Sequence, residues 1–309
     1  MFSVTEKAYA KINLYLDIIK KREDGFHDIL TIMQLVSLYD EVKIYLTNTK
    51  EISVTMVNSD VIISQEENIA YLAAKRFYEK LDFAPSGGAD IYIKKNIPLA
   101  AGLAGGSADA AAVLRGLNFL YGSPFSIKEL CKIGLEIGSD VPFCIVGGTQ
   151  VCKNRGEVSS CSNGIQDHFL LIACAGQKES TAMQYCKLDE KYNDFNEYEC
   201  CKNYEDLCGA FSVRNTTKAL ALMFNIFEDL YENDENVRKI KQIMYEYEAN
   251  KAIISGSGPA VLGIFSSINY AEDANEKFKK LGIRSFVCSP MDKEYEVMNH
   301  FTEKGRRCV

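Results

Sequence analysis

The chain has 309 residues, 47% of them hydrophobic and 25% charged, a composition that builds packed cores and excludes a largely disordered chain. Its net charge of −7 argues against general nucleic-acid binding, which needs basic patches. It still leaves room for a nucleotide, because one loop of backbone N–H groups can hold phosphate inside an acidic protein.

The length exceeds that at which single cores usually stop growing, so two domains are expected. The start lacks the apolar run of a signal peptide, with Lys7 and Lys11 inside it, and no stretch approaches the roughly 20 apolar residues that span a bilayer. A cytoplasmic protein without a membrane partner is expected. Eleven cysteines without a CxxC pair read as reduced thiols. Cys200, Cys201 and Cys208 have no histidine nearby to complete a metal site.

In chain order, Ala8 to Leu16 and Glu41 to Leu46 alternate as strands, and Asp24-Gly25 between them is a hairpin signal. Ser64 to Leu81 is predicted helical, with Ile69, Leu72, Ala73, Phe77 and Leu81 on one face. Asp90 to Lys94 alternates as a strand. Pro98 and a group of glycines then precede an Ala/Leu-rich helix that Gly122-Ser123-Pro124 closes. Ser126 to Ile137 is amphipathic, with Ser126 and Glu129 as a capping box. Gly138 to Pro142 reads as a loop. Composition turns polar around Ser159 to Gln166, which places a domain boundary there. His168 to Ala175 reads as a buried strand, Lys187 to Asn203 as a mobile surface segment, and Thr216 to Leu230 and Asn236 to Glu248 as helices. Lys251 to Phe265 reads as strand, glycine turn, strand, with a helix and a last strand after it.

The run Pro98 to Ser107, PLAAGLAGGS, carries the strongest chemical signal. Glycines let backbone N–H groups approach an anion, and the free N–H groups and positive end of the following helix favour phosphate. It is neither a Walker loop nor a dinucleotide GxGxxG; a flexible turn before a packing helix is the other reading. Gly256-Ser257-Gly258 is either a hairpin turn or a loop facing a ligand. Asp140 is either a turn aspartate or a base that accepts a hydroxyl proton in phosphoryl transfer. Lys11, in an apolar strand, either pairs with Asp140 or snorkels at a sheet edge. His27, one of three histidines, either sits on a surface turn or reads a base edge.

In order along the chain, Ala10-Lys11-Ile12-Asn13-Leu14, Asp24-Gly25-Phe26-His27, Pro98 to Ala111, Gly138 to Phe143, Gly156-Glu157 and Ser255 to Gly258 together resemble the layout of the GHMP kinases. The combination of AKINL with DGFH more narrowly resembles the branch that phosphorylates a cytidine diphosphate-linked methylerythritol in non-mevalonate isoprenoid biosynthesis. The glycine loop alone marks only the superfamily. The resemblance spans most of residues 8–160 and returns near 225–265.

It implies an α+β fold of two domains, 1–162 and 163–309, the first with a left-handed βαβ crossover and the second ferredoxin-like. It implies ATP and Mg²⁺, and a small-molecule substrate containing cytidine diphosphate. Asp140 is then the base, and Lys11 the group that holds it and polarises the acceptor hydroxyl. Pro98, Gly102, Leu103, Ala104, Gly105, Gly106 and Ser107 are placed on the ATP phosphates, with Lys95 and Asn68 near the nucleotide. Phe26 and His27 are placed on cytosine, with Asn13, Gly256, Ser257 and Gly258 beside the substrate. No carboxylate cage for a metal stands out, and a monomer or weak homodimer is expected.

Several positions depart from the family pattern. Phe26 stands where tyrosine is usual, Ala101 and Ala104 where glycines are usual, and Ala108 where serine is usual. Asn154-Arg155 stands where small residues are common, Pro259 where a small residue is usual, and Asn225 to Glu228 where an Asn-Asp pair is usual. A kinase of another small alcohol and a catalytically silent nucleotide-binding relative are the alternatives.

Overall fold

The computed structural model describes residues 2–57, 64–83, 87–154, 157–161, 164–176, 180–192 and 194–291. Two long strands, β1 (Ser3–Lys21) and β2 (His27–Leu46), form an antiparallel hairpin whose turn holds Asp24-Gly25, with Gly25 at φ +83°. A positive φ here suits a residue without a Cβ. The strands are longer than the alternation suggests, because their middle is buried on both faces and therefore reads as apolar throughout.

The outer edge of β2 pairs twice. Glu41 to Leu46 pair with β4 (Ala89–Lys94), and Ile29 to Gln34 pair with β5 (Thr149–Asn154), which pairs in turn with β6 (Glu157–Cys161). Beyond β4 lies β3 (Ile52–Val57), parallel to it and joined to it through α1 (Ile69–Glu79), a βαβ unit. With β8 (Phe224–Asn225) added parallel to β1, the sheet has seven strands.

Helix α2 (Gly105–Leu120) lies on this sheet. A Cβ at Gly116 would come within 2.6 Å of the Ile44 side chain, and Ala110, Ala111 and Ala112 are fully buried. The small residues thus let helix and sheet approach closely. Against α2 pack α3 (Ile127–Leu135), which carries the expected Ser126–Glu129 capping box, and α4 (Val141–Val146). The apolar run after Asp140 is therefore a short helix, with Pro142 in its first turn, where a missing N–H costs nothing.

A second sheet has four antiparallel strands in the order β11-β7-β10-β9, built from β7 (Phe169–Cys174), β9 (Lys251–Ile254), β10 (Ala260–Phe265) and β11 (Ser285–Cys288). Taken in chain order these are strands 4-1-3-2, the ferredoxin-like arrangement. Between β7 and β9 run α5 (Thr181–Lys191), α6 (Glu197–Ser212), α7 (Thr216–Leu222) and α8 (Glu235–Glu246); α9 (Ile268–Lys280) joins β10 to β11.

Two expectations change here. Most of Lys187 to Asn203 is helical, because Leu188 and Cys200 are buried and the Tyr15 hydroxyl donates to Cys200 O at 3.0 Å. The helix expected over Thr216 to Leu230 stops at Leu222, where the chain turns to pair with Tyr15 and Leu16. Arg155, Gly156 and residues 162–163 lie outside the described residues.

Just past β4, Lys95 donates to both Asp40 and Asp109, all three side chains at most 7% exposed. Asp40 also accepts from the N–H groups of Asn96 and Ile97. Burial works against the Lys95 charge, but Asp109 and Asp40 outweigh it and leave its pKa raised. Burial likewise pushes the Asp109 carboxyl above the ordinary range, with Lys95 opposing. Removing one partner strands a buried charge. Asp40→Ala is expected to lower the unfolding free energy by about 3 kcal/mol or more, measured by urea denaturation; an unchanged midpoint would contradict this account of the network.

Candidate active site

Lys11 and Asn13 share one side of β1, two residues apart. The β1–β2 register shifts between Tyr9 and Lys11 and again between Asn13 and Tyr15. Such bulges twist a strand and re-aim its side chains. Lys11 Nζ donates to Asn13 Oδ1 at 2.7 Å, Asn13 Nδ2 donates to Thr31 Oγ1 at 2.8 Å, and Thr31 Oγ1 donates to Tyr15 O at 2.6 Å. This chain holds both polar side chains in a largely apolar strand.

The Lys11 N–H also donates to Leu103 O at 3.1 Å, which fastens the glycine loop to β1. The loop meets the second sheet backbone to backbone. A Cβ at Gly102 (φ +84°) would lie 2.2 Å from Ser255 O, and one at Gly256 (φ +56°) would lie 2.7 Å from Gly102 O and 3.1 Å from Lys11 Nζ. Ala260 N donates to Ala101 O at 3.2 Å across the same contact. The Gly256 turn is pinned from behind by Asn225 Nδ2, which donates to Ile254 O and Gly256 O, and by the Tyr231 hydroxyl, which donates to Ser257 O. It is at once a hairpin turn between β9 and β10 and a wall of the site.

Ala104 caps α2 with φ +53° and no side-chain hydrogen bond. The first backbone N–H groups of α2, at Gly105, Gly106 and Ser107, therefore start an uncapped helix end, where partial positive charge collects. Ala100 has φ +52° as well, whereas Ala101 is not among the residues with positive φ.

Asp140 stands at the start of α4. A half-buried arginine anchors that helix: Arg115 donates to Cys144 O at 2.7 Å, to Glu6 at 3.1 Å and to Lys7 O at 3.2 Å. Asp140 and Lys11 make no ion pair within 4.0 Å. Both nevertheless act on the same two thiols. Burial raises the pKa of Cys144 and Cys152; the Asp140 charge raises both further, and Lys11 opposes.

Beside these contacts lies a cavity of about 850 Å³. Lys11, Asn13, Phe26, His27, Pro98, Gly102 to Ser107, Asp140, Gly256 and Ser257 are on its wall. Three expected residues are not. Asn68 is the N-cap of α1, its side chain accepting from Ala70 N at 3.0 Å. Lys95 lies behind the loop in its pairing with Asp40 and Asp109, and a Cβ at Gly105 would be 3.5 Å from its Nζ. Gly258 faces Tyr231, whose ring a Cβ there would meet at 2.7 Å.

The cavity has a second half that the sequence reading missed. Tyr185 and Asp189 of α5 line it together with Thr181 and Phe227. The Tyr185 ring stacks on His27 with centroids 4.8 Å apart and planes 19° apart, and Asp189 bonds both His27 Nε2 at 2.7 Å and Lys21 Nζ at 2.6 Å. Phe26, 50% exposed, stands at the hairpin tip on the same wall. No local motif marks Tyr185 or Asp189; their i, i+4 spacing on a helix face is the only sequence signal.

Among the described residues no group of three or more His, Cys, Asp or Glu side chains is arranged to hold a metal ion, and no helix is long and apolar enough to cross a membrane.

Known proteins are similar to this chain in sequence and fold. Residues 68–148 match the family described as GHMP kinases N terminal domain. A 4-diphosphocytidyl-2-C-methyl-D-erythritol kinase from Caldicellulosiruptor saccharolyticus is 41% identical over 274 residues, 88% of this chain and 92% of that protein. One from Clostridium tetani is 39% identical over 276 residues, 88% of this chain and 95% of the relative. The chain belongs to the 4-diphosphocytidyl-2-C-methyl-D-erythritol kinase family. The crystal structure of a 4-(cytidine 5'-diphospho)-2C-methyl-D-erythritol kinase superposes with a TM-score of 0.74 at 25% identity, covering 93% of this chain and 98% of the other. As a member of this family, with the two-domain GHMP kinase fold, the chain is a small-molecule kinase that uses ATP.

Ala104 takes a left-handed φ of +53°, which is costly for a residue with a Cβ. Ala104→Gly is expected to raise the unfolding free energy by about 1 kcal/mol, measured by chemical denaturation. A lower stability would mean that the loop adapts to the methyl group without strain.

Proposed function

We propose that the chain transfers the γ-phosphate of ATP to the 2-hydroxyl of 4-diphosphocytidyl-2-C-methyl-D-erythritol, with its two domains divided near residues 162–163. The reading is carried by one observation: an uncapped helix N-terminus, a lysine and a carboxylate line the same cavity as a cluster of aromatic rings. The first half suits a triphosphate and the second a nucleobase. A volume of about 850 Å³ falls within the range usual for small-molecule sites.

In this reading the N–H groups of Gly105, Gly106 and Ser107 hold the β- and γ-phosphates. Lys11 and Asp140 flank the acceptor hydroxyl without pairing to one another, which leaves the space between them for that oxygen. Asp140 takes the hydroxyl proton as the oxygen bonds to the γ-phosphorus and the bond to the ADP oxygen breaks. Lys11 offsets the charge that grows on the transferring group. Positioning and electrostatics supply most of the acceleration in such transfers. Asn13, fixed by Lys11 and Thr31, orients the polyol. The pyrimidine lies among Phe26, His27 and Tyr185.

Among the described residues no group of three or more His, Cys, Asp or Glu side chains forms a cage, and the ATP phosphates with the Ser107 hydroxyl would hold Mg²⁺. When bound it neutralises phosphate charge, and no step above runs through it.

An ADP-release assay across candidate alcohols tests the substrate: turnover is expected with the cytidyl diphosphate and not with mevalonate or homoserine. Turnover with either of those and none with the cytidyl compound would overturn the reading. Asp140→Asn is expected to lower kcat by roughly 10²- to 10⁴-fold with little change in KM for ATP. Parent-like turnover would remove Asp140 from the role of base.

A further inference from the structure

The His27 ring is held on three sides. Tyr185 stacks on its face, Phe195 meets it edge-on with centroids 5.9 Å apart at 90°, and Nε2 is 2.7 Å from Asp189 Oδ1. A carboxylate only accepts, so the Nε2 position carries the proton. Asp189 is itself fixed from the other side by Lys21 Nζ at 2.6 Å. The remaining ring nitrogen, Nδ1, makes no hydrogen bond among the described residues. It is also not sealed in protein: the sealed, unpartnered side-chain atoms there are Asp109 Oδ1 and His168 Nδ1. His27 lines the cavity, and Nδ1 is the one polar atom of its ring left to face a ligand.

We propose that Asp189 is a positioning residue that locks His27 in the Nε2–H tautomer, making Nδ1 a hydrogen-bond acceptor that selects cytosine over uracil. The inference rests on the function proposed above, which puts a pyrimidine in this half of the cavity. The two bases differ at carbon 4. Cytosine carries an amine there, which donates; uracil carries a carbonyl, which only accepts. A bare Nδ1 takes a hydrogen bond from the amine and meets the carbonyl lone pair to lone pair. A tautomer with its proton on Nδ1 would reverse the preference, so the carboxylate behind the ring sets what the front of the ring reads. Rejection is strong where a built hydrogen-bonding group is left without its partner.

The test uses full-length enzyme and three readouts. ¹⁵N NMR of histidine-labelled protein reports which ring nitrogen is protonated, and a proton on Nε2 with Nδ1 bare is expected. Calorimetry of cytidine and uridine 5′-diphosphate is expected to show the cytidine compound binding roughly tenfold tighter or more, with the two equal in Asp189→Leu. In turnover, Asp189→Leu is expected to raise KM for the cytidyl substrate about tenfold while kcat and KM for ATP stay near parent values. Lys21→Met removes the other partner of Asp189 and is expected to keep the discrimination.

A proton on Nδ1 in the parent enzyme, or an Asp189→Leu variant that discriminates as the parent does, overturns the proposal. So does an equal loss of affinity for both diphosphates, the signature of a merely structural role. If the parent enzyme fails to turn over the cytidyl substrate, the function reading fails by itself, and the tautomer and the two diphosphate affinities still decide the role of Asp189.

Discussion

The site depends on one close approach of two backbones. Gly102, in the loop that leads into α2, and the Ser255-Gly256 segment between β9 and β10 touch main chain to main chain, with no room for a Cβ at either glycine. That contact brings the loop of the seven-stranded sheet against the turn of the four-stranded sheet, and Lys11 is fastened beside it by its own N–H to Leu103 O. Everything chemical in the cavity is placed relative to it. The uncapped end of α2 lies on one side, and the paired Lys11 and Asn13 on another. Asp140 arrives on α4, which Arg115 ties down through Cys144 O. Interactions of this kind fix geometry more than they add stability, and phosphoryl transfer depends on geometry.

Local signals in the sequence reached a good part of this. The Asp24-Gly25 hairpin, the Ser126–Glu129 capping box and the glycine loop before α2 each follow from neighbouring residues, and each is present. What stayed hidden depends on contacts distant in sequence. The polar stretch after Lys187 becomes helical because single residues, Leu188 and Cys200, are buried against strands far away in the chain. Asn68 looks like a ligand-facing polar residue until α1 is seen to start at Ile69 and use it as a cap. Lys95 is placed beside the loop but turned to two buried carboxylates, a choice that depends on Asp40, 55 residues away. Asp189 has no motif at all, and its meaning comes only from lying 2.7 Å from a histidine 162 positions earlier.

The loop also stores strain. Ala100 and Ala104 take left-handed backbone conformations that glycine adopts freely, and Lys95, Asp40 and Asp109 sit buried behind it. Backbone strain of this sort persists where the surroundings over-determine the conformation, and it gathers at working sites. Here the surroundings are the Gly102–Gly256 contact in front and the buried ion network behind.

The central claim is that one cavity brings a triphosphate and an alcohol together between Lys11 and Asp140. A crystal structure of the enzyme with a non-hydrolysable ATP analogue and the cytidyl diphosphate substrate tests it most directly. The account predicts the terminal phosphate on the N–H groups of Gly105 to Ser107 and the acceptor oxygen within hydrogen-bond reach of the Asp140 carboxylate. A triphosphate bound elsewhere, or an acceptor oxygen out of reach of both Asp140 and Lys11, would contradict it.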